Sequence, residues 1–236
     1  MPVKEKISVI LPTYNESANI LPLIDSVHSA LRGYEHEILV IDDNSPDNTY
    51  HVALNPGYPY VGAILRKDNR GLANSIRCGL ENAGGEIFVV MDSDFNHMPQ
   101  YIPEMLSKID SYDCVSASRF IWGGRMNSRP RHHLSRIFNG FIRLLAVSPL
   151  SDNLYGFFAI KRTAMESCNY DDIFWGFGDY YMRLLYSLRM NKAAILEIPA
   201  VYGERRTGNG NTGFLEVFCR YSVELGKLAF KPGIKD

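Results

Sequence analysis

Asp92-Ser93-Asp94 sets two carboxylates one residue apart, directly after the apolar run Glu86-Ile87-Phe88-Val89-Val90-Met91. Carboxylate oxygens are hard donors, and a D-x-D of this kind suits a divalent cation held against a diphosphate. The pattern by itself is weak, because composition alone yields about one such pair in a chain with this many aspartates. Its placement is stronger: in open α/β sheets, ligands bind at the carboxyl ends of strands. Neither aspartate has a base beside it, so both fit charge neutralisation better than proton transfer. Asn96 adds a third oxygen, while His97, ahead of Pro99, reads more readily as a turn residue than as a ligand. That donor set favours Mg2+ or Mn2+ over Zn2+, which prefers Cys and His.

Other segments admit a chemical reading beside a plainer one. Pro12-Thr13-Tyr14-Asn15-Glu16 follows a first apolar run, and neither G-x-G-x-x-G nor G-x-x-x-x-G-K-[ST] occurs at this turn. That argues against a dinucleotide fold or a P-loop. A rigid Pro-Thr-Tyr turn can pack on a nucleoside; the plainer alternative is a connection capped by Asn15. Asp42-Asp43 closes a second run, placing a carboxylate where a base or ribose is recognised; the plainer alternative is a solvated turn in which Asp and Asn cap the following helix. Arg119, Arg125, Arg129, Arg131 and Arg136 fall within 18 residues. Guanidinium forks match phosphate oxygens, although charge runs are commonly solvated faces. Arg205 and Arg206, among glycines 208 and 210, suit either a phosphate-closing loop or a surface turn. Asp179 serves as a general base if the acceptor is a hydroxyl, or caps a helix starting at Tyr180.

The periodicity that must position these groups alternates between strand and helix. Strands are expected at Ile7–Leu11, Glu37–Ile41, Val61–Leu65, Ile87–Met91 and Cys114–Ser118. Helices are expected at Ser17–Leu31, with Pro22 fitting only near its first turn, at Gly71–Ala83 and at Pro103–Ile109. This β-α-β-α order predicts a mostly parallel, doubly covered sheet in one domain. The second half is less regular. Gly123-Gly124 opens a basic segment read as a mobile loop, followed by a basic amphipathic helix over Leu134–Val147. A strand at Tyr155–Ile160, a helix at Tyr180–Met190, a strand at Ala193–Tyr202 and a last helix at Phe214–Phe230 complete the reading.

Composition narrows the classes. The 236 residues carry a net charge of −1, which gives no sign of bulk nucleic-acid binding. Four scattered cysteines form no C-x-x-C and read as reduced thiols of a cytoplasmic protein. The N-terminal residues lack a signal-peptide core, and no apolar stretch approaches the roughly 20 residues that span a bilayer. The basic flank of the Leu134–Val147 helix allows peripheral contact with anionic lipid on the cytoplasmic membrane face.

Four segments, in this order and spacing, resemble glycosyltransferase family 2 with the GT-A fold: Ser8-Val9-Ile10-Leu11-Pro12-Thr13-Tyr14-Asn15-Glu16, Ile41-Asp42-Asp43-Asn44-Ser45-Pro46-Asp47-Asn48-Thr49, Arg70-Gly71-Leu72-Ala73 and Met91-Asp92-Ser93-Asp94. Within that family the chain is most similar to dolichyl- or polyprenyl-phosphate mannose synthases, through Asp94-Phe95-Asn96-His97-Met98-Pro99, Ser118-Arg119-Phe120, Gly123-Gly124, Arg131 with Ser135-Arg136, Asp152 before Gly156-Phe157, and Arg205 with Gly208. The resemblance covers roughly residues 5 to 212. It implies a nucleotide-sugar half over about 5–120 and an acceptor half over about 121–236. It further implies that Pro12, Tyr14, Glu16, Asp43 and Asp92 line the nucleotide site and that Asp92, Asp94 and Asn96 face the metal. Arg119, Arg131, Ser135, Arg136 and Arg205 would meet phosphate. Where that branch usually has a glutamate in its late helix, this chain has Arg183. The expected reaction is inverting transfer of a mannose- or glucose-type sugar from a GDP- or UDP-linked donor to a lipid phosphate. The alternatives are transfer to a sugar hydroxyl with Asp179 as base, and a non-catalytic nucleotide-sugar-binding protein.

Overall fold

Every residue of the first strand is buried, so it needs cover on both faces. The computed structural model describes residues 4–54, 57–126, 129–145, 147–203 and 214–230, the side chains of 129–131 and 214–217 excepted. Its strands are β1 Ile7–Thr13, β2 His36–Asp42, β3 Val61–Leu65, β4 Ile87–Val90, β5 Cys114–Ser118, β6 Phe158–Lys161 and β7 Ile195–Pro199. Helices α1 Ser17–Ala30, α2 Thr49–Ala53, α3 Leu72–Asn82, α4 Ile102–Ile109, α5 Arg129–Leu144, α6 Arg162–Glu166, α7 Tyr170–Ile173, α8 Tyr180–Met190 and α9 Phe214–Ala229 flank them.

The strands form one seven-stranded sheet in the order β3-β2-β1-β4-β6-β5-β7. All its ladders are parallel except the two made by β6, which runs antiparallel to β4 and β5. The strand alternation separates two cores. Val9 and Leu11 face Ile20, Leu23 and Ile24 of α1 and Met105 of α4. Ile10 faces Ile76 and Leu80 of α3 and shares its cluster with Leu184 and Leu188 of α8. A third, smaller core joins α5, α8 and α9 through Phe138, Ile142, Met182, Leu225 and Leu228.

Several boundaries differ from the pattern. Pro22 sits inside α1 rather than in its first turn. The missing N–H is tolerated because the buried stripe Ile20, Leu23, Ile24 and Val27 holds both sides of it against the sheet. The helix expected from Leu134 starts at Arg129, and Pro130 suits that first turn. The strand expected from Tyr155 begins at Phe158, because Gly156, at φ 73°, bends the chain before it. The segment opening at Gly123 is bridged to the sheet by Arg125 and Val201.

Candidate active site

The carboxyl ends of β1, β2 and β4 lie side by side, so their loops must share space. Three successive amides of the first loop are taken by side chains of the second. Asn15 N donates to Ser45 Oγ at 2.9 Å, Glu16 N to Thr49 Oγ1 at 3.0 Å and Ser17 N to Asp47 Oδ2 at 3.0 Å. Asp47, not Asn15, therefore satisfies the start of α1. Asn15 instead takes a left-handed turn at φ 61°. Asp42 closes its own turn, accepting from Ser45 N at 2.9 Å and Ser45 Oγ at 2.5 Å.

Asp43 has a different task. It is buried and accepts from the Arg66 guanidinium, from Ser75 Oγ at 2.7 Å and from Gly71 N at 2.8 Å. This fixes the Arg70-Gly71 turn against β2, with the Arg70 guanidinium 5.4 Å from the centre of the exposed Tyr14 ring. Glu16 is buried and accepts from Asn19 Nδ2 at 2.5 Å. The Pro12 carbonyl accepts from Ser93 Oγ at 2.8 Å, which ties the first turn to the D-x-D loop.

The D-x-D loop is braced from beneath. Asp92 N donates to His97 Nδ1 at 2.8 Å, and His97 Nε2 lies 3.5 Å from Asp92 Oδ2. The imidazole is buried, stacked on Phe157 at 5.1 Å, and burial drives its pKa down to about 4. With Nδ1 taken by the Asp92 amide, it is a neutral brace of the loop. Asn96, expected as an oxygen donor to the ion, turns its own nitrogens to Asp94: Nδ2 at 2.6 Å from Oδ2 and the amide at 3.0 Å from Oδ1. Phe95 between them is left-handed, at φ 67°. The Asn96 carbonyl accepts from Gly203 N at 2.9 Å and Tyr155 Oη at 3.0 Å.

No three His, Cys, Asp or Glu converge among the described residues. Asp92, with 43% of its side chain exposed, and Asp94 form a partial, oxygen-only set. Such a set fits Mg2+ or Mn2+, which bind through one or two carboxylates plus substrate phosphates.

Arg119, at the end of β5, is buried in a bidentate pair: Nε and Nη2 reach Asp152 at 2.7 and 2.9 Å. Among the described residues Nη1 donates to nothing, and the guanidinium lies 4.7 Å from the Tyr155 ring centre. Tyr155 therefore joins the arginine to the D-x-D loop. Asn139 of α5 holds the next residue along, its Oδ1 accepting from Asn153 N at 2.7 Å. On α5, Ser135 is half-buried and Arg136 exposed, while Arg131 lies on the helix with its side chain outside the described residues. Arg205 also lies outside them.

Asp179 precedes α8 but makes no side-chain cap to it. Oδ1 accepts from Phe177 N at 2.8 Å and Oδ2 from Arg183 Nη1 at 2.7 Å. Sequence reasoning missed His97 as a brace, Asp152 as the arginine's partner, Tyr155 as a bridge, and Arg66 and Ser75 as holders of Asp43. His97 and Asp152 stand inside quoted motifs; the others carried no pattern.

The glycosyl transferase family 2 model matches residues 8–168. A dolichol-phosphate mannosyltransferase of Pyrococcus furiosus is 36% identical over 86% of this chain, which spans 58% of that relative's length. The Saccharomyces cerevisiae protein of the same name is 29% identical over 96% of this chain and 88% of its own. Among solved structures, glucosyl-3-phosphoglycerate synthase from Mycobacterium tuberculosis in complex with Mn2+ and UDP-glucose superposes with a TM-score of 0.74 at 21% identity, covering 98% of this chain and 80% of that one. The same enzyme with Mg2+ and UDP gives 0.70 at 22% identity, covering 95% and 78%. These likenesses show the GT-A fold. With the family model spanning more than half of its residues, the chain belongs to glycosyl transferase family 2.

Proposed function

We propose that this chain transfers a mannose- or glucose-type sugar from a GDP- or UDP-linked donor to a polyprenyl or dolichyl phosphate, with inversion at the anomeric carbon. One observation carries the reading: Tyr155 links the Arg119–Asp152 pair to the D-x-D loop, which supports a shared site for a guanidinium proposed to bind phosphate and two carboxylates proposed to bind the cation. The curated relatives named dolichol-phosphate mannosyltransferase support the same acceptor class.

Tyr14, Pro12, Glu16 and Asp43 would receive the nucleoside, with Asp43 presenting the Arg70-Gly71 turn. Asp92 and Asp94 would hold Mg2+ or Mn2+ while Asn96 orients Asp94. The ion, when bound, offsets charge on the departing diphosphate. Arg119 Nη1, with Arg131, Ser135, Arg136 and Arg205, would hold the acceptor phosphate in line. That nucleophile is already anionic, so positioning and charge replace a general base. Transfer to a sugar hydroxyl is less well supported, because both oxygens of Asp179 are already engaged.

No helix among the described residues is long and apolar enough to cross a membrane. A lipid acceptor can instead be met at the surface. Leu134, Ile137, Phe141 and Leu144 form an exposed stripe along α5, beside exposed Arg136 and Arg143, and Trp122 is 97% exposed. Apolar residues with basic flanks favour an interface with anionic lipid.

The reading is tested by incubating the purified chain with Mn2+, labelled GDP-mannose or UDP-glucose, and a short polyprenyl monophosphate. Label should enter the lipid phase only with the monophosphate, and a chelator should stop it. Label on free sugars but not on the lipid would overturn it.

A further inference from the structure

Glu197 lies on β7, an edge strand whose neighbour in the sheet is β5, in register with Ser116. Charged residues on edge strands commonly keep that edge from pairing with another chain. Glu197 has a second use. Its half-buried carboxylate reaches the loop between α5 and β6 and accepts two successive amides there. Ser151 N donates to Oε2 at 2.8 Å and Asp152 N to Oε1 at 3.0 Å.

The second of those amides belongs to the partner of Arg119. Asp152 is fully buried, and its two oxygens accept from the Arg119 amide at 3.0 Å, Nε at 2.7 Å and Nη2 at 2.9 Å. Arg119 directly follows β5, whose last residue, Ser118, pairs with Pro199 of β7. The contacts therefore close a ring. β5 leads into the arginine, β7 beside it carries Glu197, Glu197 fixes the Ser151-Asp152 backbone, and Asp152 turns back to grip the guanidinium. On the α5 side, Asn139 accepts the next amide, that of Asn153, at 2.7 Å. Three successive amides of this loop thus end on two side chains, of which only Glu197 is charged.

This position calls for a carboxylate. Two adjacent N–H groups need two acceptor oxygens, and a carboxamide offers one while turning its NH2 against the other N–H. Hydrogen bonds to a charged acceptor are also the stronger kind.

We propose that Glu197 is a positioning residue for sugar transfer: by holding the Ser151 and Asp152 amides it sets the direction of Arg119 Nη1, the donor left for an acceptor phosphate. It touches neither substrate nor cation and acts through Asp152 alone. The proposal rests on the lipid-phosphate reading above and adds the residue that aims its arginine.

Glu197→Gln keeps the size and removes one acceptor. Glu197→Asp keeps the charge but is one methylene too short for both amides. With a short polyprenyl monophosphate, acceptor KM should rise about tenfold in each variant, the lower end of what one hydrogen bond to a charged group contributes. Mn2+-dependent binding of GDP or UDP, measured by calorimetry, should stay within twofold of wild type, because Asp43 and Asp94 are held by other contacts. A merely structural role would lower both together. Either variant alone decides the matter if the other does not fold. Acceptor KM within twofold of an active wild type, or an equal loss of acceptor and nucleotide binding, would overturn the proposal while leaving the functional reading intact. A wild type that transfers nothing to lipid phosphate would overturn both.

Discussion

His97 accepts the backbone N–H of Asp92 through Nδ1, at 2.8 Å. One side chain of a buried imidazole thus sets the backbone of the residue proposed to grip the cation. The bond requires Nδ1 to be unprotonated, and burial ensures that by lowering the pKa to about 4. His97→Phe keeps the stacking on Phe157 but leaves the Asp92 amide without its acceptor. It should cost about 1–3 kcal/mol of stability, measured by denaturant unfolding, and weaken Mn2+-dependent nucleotide binding more than metal-free binding.

The same residue makes stability depend on pH. Its pKa falls from the ordinary 6.5 in the unfolded chain to about 4 in the folded one. Between those values the unfolded state binds more protons, so stability is full above pH 6.5 and declines as pH falls toward 4. The drop attributable to His97 is on the order of 3 kcal/mol. Unfolding curves for wild type and His97→Phe should converge over that window; parallel curves would contradict the assignment.

Arg119 and Asp152 are both buried, so neither charge is tolerable alone. Asp152→Ala should destabilise by about 3–5 kcal/mol, the cost of leaving one partner of a buried pair. It should also abolish turnover, since the guanidinium loses the two bonds that aim it.

Gly203 donates to the Asn96 carbonyl, and a Cβ on it would lie 2.0 Å from the Phe95 carbonyl. Gly203→Ala must move the D-x-D loop. Calorimetry should show nucleoside diphosphate affinity with Mn2+ reduced at least tenfold.

The outer face of α5 gives a prediction separable from chemistry. Replacing Ile137 and Phe141 together with Asp should weaken sedimentation with anionic vesicles at least tenfold, since burying each such side chain contributes about 1.5–3 kcal/mol. Nucleotide binding should not change.

The first half of the fold was legible because each strand there is apolar and ends in the polar residues that now face the site. Asp43 and the Asp92–Asp94 pair follow directly from that rule. What was not legible depends on contacts across the chain. Asp152 lies 33 residues from Arg119, and no local pattern pairs them. The antiparallel β6 reads as another short apolar run, since direction leaves no trace in periodicity. The reading of a solvated turn that caps the next helix fits neither aspartate: Asp42 is buried and closes a turn on Ser45, Asp43 is buried against Arg66, Ser75 and Gly71, and neither caps α2. At Asp179 the capping reading failed because Arg183, one turn later, competes for the carboxylate.

Asp92 and Asp94 are proposed to share one cation under a diphosphate. Crystals grown with GDP or UDP and Mn2+, measured at the manganese absorption edge, decide this directly. An anomalous peak should appear within about 2.0–2.6 Å of a carboxylate oxygen of this pair and of a diphosphate oxygen. A bound nucleotide with no manganese beside either aspartate would contradict it.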